Sequence, residues 1–332
     1  MKFNRPVFII MTAAALLVAV SIFSLHIGFT AIGVTDTIRV LFGETDSMTE
    51  SILFGIRLPR ILAAILSGMA LAVSGMLLQS VMQNSLADSG IMGINSGAGL
   101  FVVLVLFLLE GFEYSLFIIP AAAFTGGLVV AVTVLFLSYR NSLGVQPIRL
   151  VLNGIAVGAG ISALMIVLSL LISHETYQFA AGFLAGTIWG TSWPHVSIIA
   201  AGLILFIPVV SSKISVLNIL SMNTLNAISL GVDLKKERLI LLVCAVGLAS
   251  VSVSVSGAIA FVGLVAPHLS RRLVGVDHKF AMPLSALSGG LLVLIADTIG
   301  RTLFFPEALP AGVIVAIIGA PYFIYLLMTT DS

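Results

Sequence analysis

Charge is what this sequence lacks most: only 9% of its 332 residues are Asp, Glu, Lys or Arg, against about 25% in an ordinary soluble domain. With 59% apolar residues and a mean hydropathy of +1.21, a water-soluble fold would be left with large exposed apolar patches. A net charge of +1 offers no basic face for nucleic acid. The single cysteine, Cys244, excludes an intramolecular disulfide and lies in an apolar run, where a buried structural thiol is expected. No G-x-x-x-x-G-K-[ST] occurs, so the chain is not itself a conventional ATPase. Gly158–Ala163 imitates a dinucleotide fingerprint, but it sits in mid-run with no strand before it, which favours helix packing. His174-Glu175 opens like a zinc-protease motif, yet Gln178 stands where the second histidine is needed. No aspartate pair is spaced for magnesium or a lipid diphosphate. An enzyme is left without residues, and no metal or directly bound cofactor is expected.

What the sequence has instead is a succession of apolar runs of about 20 residues, each long enough to cross a bilayer as a helix. Ten are predicted, at 6–32, 58–82, 92–110, 115–138, 148–173, 192–211, 238–256, 258–274, 281–299 and 309–328. The eighth is the weakest, interrupted by Pro267, His268, Arg271 and Arg272. The stretch 176–190 is apolar but glycine-rich, and reads as a short re-entrant or interfacial helix. Lys2 and Arg5 before the first run invite comparison with a signal peptide. The run is about twice as long as a 7–15-residue signal core and has no small-residue cleavage site, so a retained span is expected. The expected fold is an all-α polytopic membrane protein, one transmembrane domain over 1–332. Val73-Ser74-Gly75 and Val255-Ser256-Gly257 open similar stretches half a chain apart, an echo that suggests inverted repeats. Glycines four apart (Gly93 and Gly97, Gly154 and Gly158, Gly182 with Gly186, Gly186 with Gly190) predict close helix contacts.

Orientation follows from the basic residues. With the N-terminus inside, Lys2, Arg5, Arg140, Arg149, Lys213, Lys235, Lys236, Arg238, Arg271, Arg272 and Lys279 are internal. That leaves Arg39, Arg57, Arg60 and Arg301 of the 15 basic residues outside. Both termini are therefore expected in the cytoplasm. The largest polar connections are an outer loop from Gly33 to Arg57 and an inner loop over 211–238. In the inner loop Ile219, Leu220, Asn223 and Asn226 could form a short helix, with Gly231 as its stop.

Several blocks are more specific. Arg57-Leu58-Pro59-Arg60 opens the second span, which ends in Gln79-Ser80-Val81-Met82-Gln83-Asn84-Ser85-Leu86-Ala87-Asp88, followed by Gly93-Ile94-Asn95-Ser96-Gly97. Ser229-Leu230-Gly231-Val232-Asp233 and Arg238 precede Ser256-Gly257-Ala258, Gly263-Leu264-Val265-Ala266-Pro267-His268 and Ala296-Asp297-Thr298-Ile299-Gly300-Arg301. The chain closes with Glu307-Ala308-Leu309-Pro310-Ala311-Gly312 and Gly319-Ala320-Pro321-Tyr322. In this order the blocks resemble the FecCD-type permeases, which import ferric siderophores, haem and cobalamin with ABC-type ATPases. The resemblance runs from about Arg57 to Leu327. It departs at Gln83, Ser85, Ser89 and Ala258, where the family usually has Arg, Pro, Pro and Pro.

The resemblance implies a permease subunit for a ferric siderophore, or alternatively for cobalamin, haem or iron-citrate, in the bacterial inner membrane. Implied partners are a second permease chain (identical or a paralogue), two ATPase subunits that use the ATP, and an extracytoplasmic substrate-binding protein. It also implies that Arg57, Arg60 and Arg301 receive glutamates of the binding protein, and that Ser229, Leu230, Gly231, Asp233 and Arg238 lie at the ATPase contact. The alternative for the arginines is an internal pair with Asp297 or Glu307. An ion-coupled carrier would need acids at midspan, and the only candidate, Asp297, lies near an outer end. A passive channel leaves the inner loop unexplained.

Overall fold

The computed structural model describes residues 5–28, 33, 37, 39–40, 47–110, 112, 115–140, 144–188, 190–221, 227, 229–304 and 308–330. Each of the ten predicted runs is a helix. They are α1 Arg5–His26, α2 Leu58–Met82, α3 Ile94–Leu108, α4 Ile118–Ser138 and α5 Pro147–Ser169, then α7 Trp193–Ser212, α9 Leu234–Ser256, α10 Val262–Val274, α11 His278–Leu303 and α12 Ala311–Thr330. Two short helices, α6 His174–Ala185 and α8 Ile214–Leu220, lie between them. A two-stranded antiparallel turn, β1 Tyr139–Arg140 with β2 Gly144–Val145, joins α4 to α5.

Seven helices are long and apolar enough to cross a membrane by length and composition: α1, the run Met48–Met82 that ends in α2, α4, α5, α7, α9 and α11. α3 and α12 are shorter apolar helices. α10 has 13 residues, about 20 Å at 1.5 Å per residue, against a hydrocarbon core of about 30 Å. Its shortness has a local cause. α9 ends at Ser256, and four non-helical residues, beginning with Gly257 at φ 66, lead to Phe261, which holds φ 67 and starts α10. Irregular backbone of this kind is tolerated at membrane depth only where protein or a cavity covers it. Here the Ala258 N–H donates to Phe183 O at the end of α6 (3.1 Å).

Where helix edges differ from the predicted ones, caps explain them. α9 begins at Leu234, earlier than 238, because the Asp233 carboxylate accepts the Lys235 and Lys236 N–H groups (3.1 and 3.2 Å). That cap draws the charged Lys235, Lys236 and Glu237 into a first turn that hydropathy alone does not assign to a span. Asp277 does the same for α11, accepting the Lys279 N–H at 2.9 Å. The re-entrant expectation at 176–190 becomes α6, begun by Ser173 and stopped by Gly186 at φ +79.

α2, α9 and α11 form the buried centre, while α1 and α5 expose most of their length. α2 and α9 run antiparallel: Ser74 Oγ donates to Ala245 O (2.7 Å) and Ser252 Oγ to Ser67 O (3.1 Å). Small residues let these backbones approach, and packing of this sort drives helix association in lipid. Val73–Gly75 and Val255–Gly257, the two halves of the echo, therefore lie on opposed helices. Cys244 is buried within α9.

Candidate functional site

The predicted outer arginines are brought together where α1, α2 and α11 end on the same side. Arg60 grips Asp297 with a planar fork, Nε at 3.0 and 3.1 Å and Nη2 at 2.8 Å. The Asp297 side chain is 2% exposed. Arg301 Nε lies 3.9 Å from the other face of the same carboxylate. Its Nη2 donates to Ser24 O and, at 2.7 Å, to Ser24 Oγ. Ser24 Oγ in turn meets Thr298 Oγ1 at 2.9 Å. Arg57 is buried, and its Nη1 donates to Leu25 O at 2.6 Å.

The local physics is that of a helix end. The last carbonyls of α1 have no partner within the helix and carry its negative dipole end, so cations are favoured there. Two arginines from other helices supply them. The internal pairing with Asp297 is thus realised by Arg60, with Arg301 close by. Glu307, its alternative, lies outside the described residues, and so do Asn223 and Asn226 of the inner loop.

At the opposite end, α8 holds Ile219 and Leu220, the first part of the helix expected there, and the rest of that expectation falls on residues outside the described ones. Leu230 and Gly231 are exposed, and Gly231 has φ +79 with no heavy atom within 4 Å of where a Cβ would stand. Asp233 is the cap of α9, and Ser229 is exposed beside them. Arg238 is half-buried one turn into α9, where Lys213 and Glu237 pair at 2.7 Å. Residue spacing did not single out Asn218, Asp277 or His278, yet they fasten α8 to the bundle. Asn218 Nδ2 donates to Asp277 Oδ1 (2.9 Å), and Asn218 Oδ1 accepts from His278 N (2.9 Å) and faces His278 Nδ1 (2.7 Å). The Lys279 N–H and Asn218 hold the exposed Asp277 carboxyl below the usual carboxylate range. An Asp-His dipeptide before an apolar run was the available signal, since Asp caps helices.

The departures from the family pattern are accommodated locally. Gln83 ends α2 in the left-handed conformation (φ 51) and donates to Leu220 O at 2.8 Å. Asp88 accepts the Ser89 N–H at 2.8 Å and also engages the backbone of Phe261 at the start of α10. His174 and Gln178 pair with each other (3.0 Å), and among the described residues no group of three or more His, Cys, Asp and Glu could hold a metal.

Two cavities flank this framework. One of about 700 Å3 lies at the arginine end and is lined by Glu175, Gln178, Thr187, Thr191, His195 and Ser254, among others. It adjoins α6, against which Gly99 packs through Leu184, while Gly97 lies against Gly126. The other, about 820 Å3, lies at the α8 end between Gln79, Gln83, Asn84, Asn218, Arg271 and Asp277.

A model of the FecCD transport family matches residues 16–329. The chain belongs to the FecCD transport family. It is 39% identical to the iron(3+)-hydroxamate import system permease protein FhuG of Bacillus subtilis, over 99% of each chain. It is 40% identical to the iron-uptake system permease protein FeuC of the same organism, over 94% of this chain and 95% of that one. A solved structure described as a metal-chelate type ABC transporter in an inward-facing conformation superposes with a TM-score of 0.84 at 30% identity, covering 96% of this chain and 98% of that chain. The family is one of transport permease subunits, which are not themselves enzymes. This member is a multi-pass membrane protein.

Proposed function

We propose that this FecCD permease carries a ferric siderophore across the bacterial cytoplasmic membrane. It would do so as one of two permease chains around a shared path, above two separate ATPase subunits that bind and hydrolyse the ATP. The observation that carries the reading is full-length similarity to permeases named for iron–hydroxamate import and iron uptake. Iron-citrate, cobalamin and haem are the other cargoes this architecture admits. The excess of basic residues at the α8 end supports placing that end, and both termini, in the cytoplasm.

Arg57, Arg60 and Arg301 then face the binding protein. Asp297 is shared between two guanidiniums, so the cluster favours an incoming carboxylate, which an arginine fork can hold bidentately. Ser229, Leu230, Gly231, Asp233 and Arg238 form the ATPase contact. ATP binding shifts the permease pair between outward-open and inward-open states by rocking its halves.

The cargo is tested by uptake of radiolabelled iron, given as several defined chelates, in cells with and without the gene. Loss of one chelate class, restored by the gene, is expected. Unchanged uptake of every chelate turns the assignment to cobalamin or haem. Gly231→Trp tests the inner contact. Gly231 is in open space, so the variant bears only the left-handed backbone cost of about 1–2 kcal/mol and should fold. Transport is expected to fall at least tenfold while ATP hydrolysis continues; parent-like transport removes Gly231 from the contact.

A further inference from the structure

α2 and α11 lie antiparallel with bare backbone contact at mid-depth: a Cβ on Gly68 would collide with Gly289 and Gly290. Each end of the pair is closed by a polar clasp. At one end it is Arg60 with Asp297. At the other it is Ser80 Oγ with His278 Nε2, 2.8 Å apart, with Ser80 and His278 both buried. On each helix the two clasps are about 20 residues apart, about 30 Å, which is the thickness of the hydrocarbon layer. α2 and α11 therefore make a strut that reaches from one face of the bilayer to the other.

The inner clasp continues outward. Asn218 Nδ2 is committed to Asp277, so its Oδ1 must accept, and His278 Nδ1 therefore carries the ring proton. That leaves Nε2 to accept from Ser80, whose single hydroxyl proton also has Met76 O within reach at 2.9 Å. Asn218 belongs to α8, the short helix at the start of the inner loop, and Gln83 adds a second tie from α2 to Leu220 O. A displacement of α8 is thus transmitted to the strut through directional hydrogen bonds, which resist sliding more than apolar contact does.

We infer that Asn218, His278 and Ser80 are positioning residues that join α8 to the α2–α11 strut, and that through this joint a protein docked at the arginine end controls the ATPase at the other. The inference rests on the importer reading above. Coupling between distant sites needs an element that both sites bias, and the strut is clasped by side chains at both faces.

The test uses the complete transporter in nanodiscs, with its ATPase and its binding protein. Its readouts are the ratio of binding-protein-stimulated to unstimulated ATP hydrolysis and the Kd of the binding protein. Asn218→Ala and Ser80→Ala are expected to lower the stimulation ratio at least fivefold with Kd within twofold of the parent. Ser80→Thr, which keeps the hydroxyl, is expected to restore it. His278→Leu, which removes both ring contacts and keeps only the backbone N–H bond to Asn218, should behave as Ser80→Ala does. Parent-like stimulation in the assembled Asn218→Ala complex overturns the joint. So does parallel loss of assembly, affinity and stimulation in both alanine variants, which marks a purely structural role. If the parent complex shows no stimulation at all, the importer reading fails, and the joint with it.

Discussion

Asp297→Leu is expected to lower the apparent Tm of the purified permease by roughly 10 °C. The carboxylate is almost wholly buried and accepts three hydrogen-bond contacts from Arg60, with Arg301 on its other side. Removing one partner of a buried pair leaves an uncompensated charge and costs about 3–5 kcal/mol, which for a chain of this size corresponds to that order of shift. Removing the pair together is milder, because only Arg301 then loses its carboxylate neighbour and it keeps its bonds to Ser24. Arg60→Met with Asp297→Leu should therefore recover about half of the lost Tm, Arg301 still being held by Ser24. The rescued double variant then isolates the docking role. If Arg60 receives a carboxylate of the binding protein, affinity falls at least tenfold, about 1.4 kcal/mol, and the parent's affinity weakens with salt where the variant's does so less. Parent-like affinity in the rescued variant would make Arg60 a structural residue only.

The membrane class, the ten helices and their alternation were legible because each rests on a run of side chains whose transfer into lipid is favourable, a property read one segment at a time. α2 shows this well: the expected 58–82 is the observed Leu58–Met82. Caps were less legible. Asp233 and Asp277 extend α9 and α11 beyond their apolar runs, and the charged residues they carry into the first turn look like loop to a hydropathy reading. What joins helices was least legible. Arg60 with Asp297 could be named as one possible pair, since both lie near outer ends. Asn218 with His278 joins two segments about 60 residues apart and has no periodic signal. Glycine spacing was a partial guide. Gly97 and Gly154 do pack on backbone, but Gly182 and Gly190 meet nothing within 4 Å in this chain. The closest approach of all is at Gly154 against Ile91 O, but those at Gly68, Gly75, Gly263 and Gly289 are also on backbone or on Asp88, and these glycines belong to none of the four-apart pairs. Spacing along one helix says nothing about which neighbour faces it.

Those contacts lead to the other large effect. Gly75→Val is expected to abolish recovery of monodisperse permease, while Gly182→Val leaves it near the parent level. A Cβ at Gly75 would fall on the Gly263 backbone, and one at Gly263 would meet the Asp88 carboxylate and Leu71 O. Overpacking typically costs about 1–3 kcal/mol where side chains can yield; here the obstructing atoms are main chain, so α10 itself must move. It has little room, because Asp88 engages its first turn, Gln79 donates to Gly263 O at 3.1 Å, and Arg271 near its other end donates back to Gln79 Oε1. Lipid offers no hydrophobic force to reseat a displaced helix, so lost packing is not recovered elsewhere. Fluorescence-detected size exclusion of the two variants, expressed side by side, measures the difference directly. Equal recovery would mean that α2 and α10 stand further apart than their glycines permit, and the short, broken α10 would then need another explanation for its position.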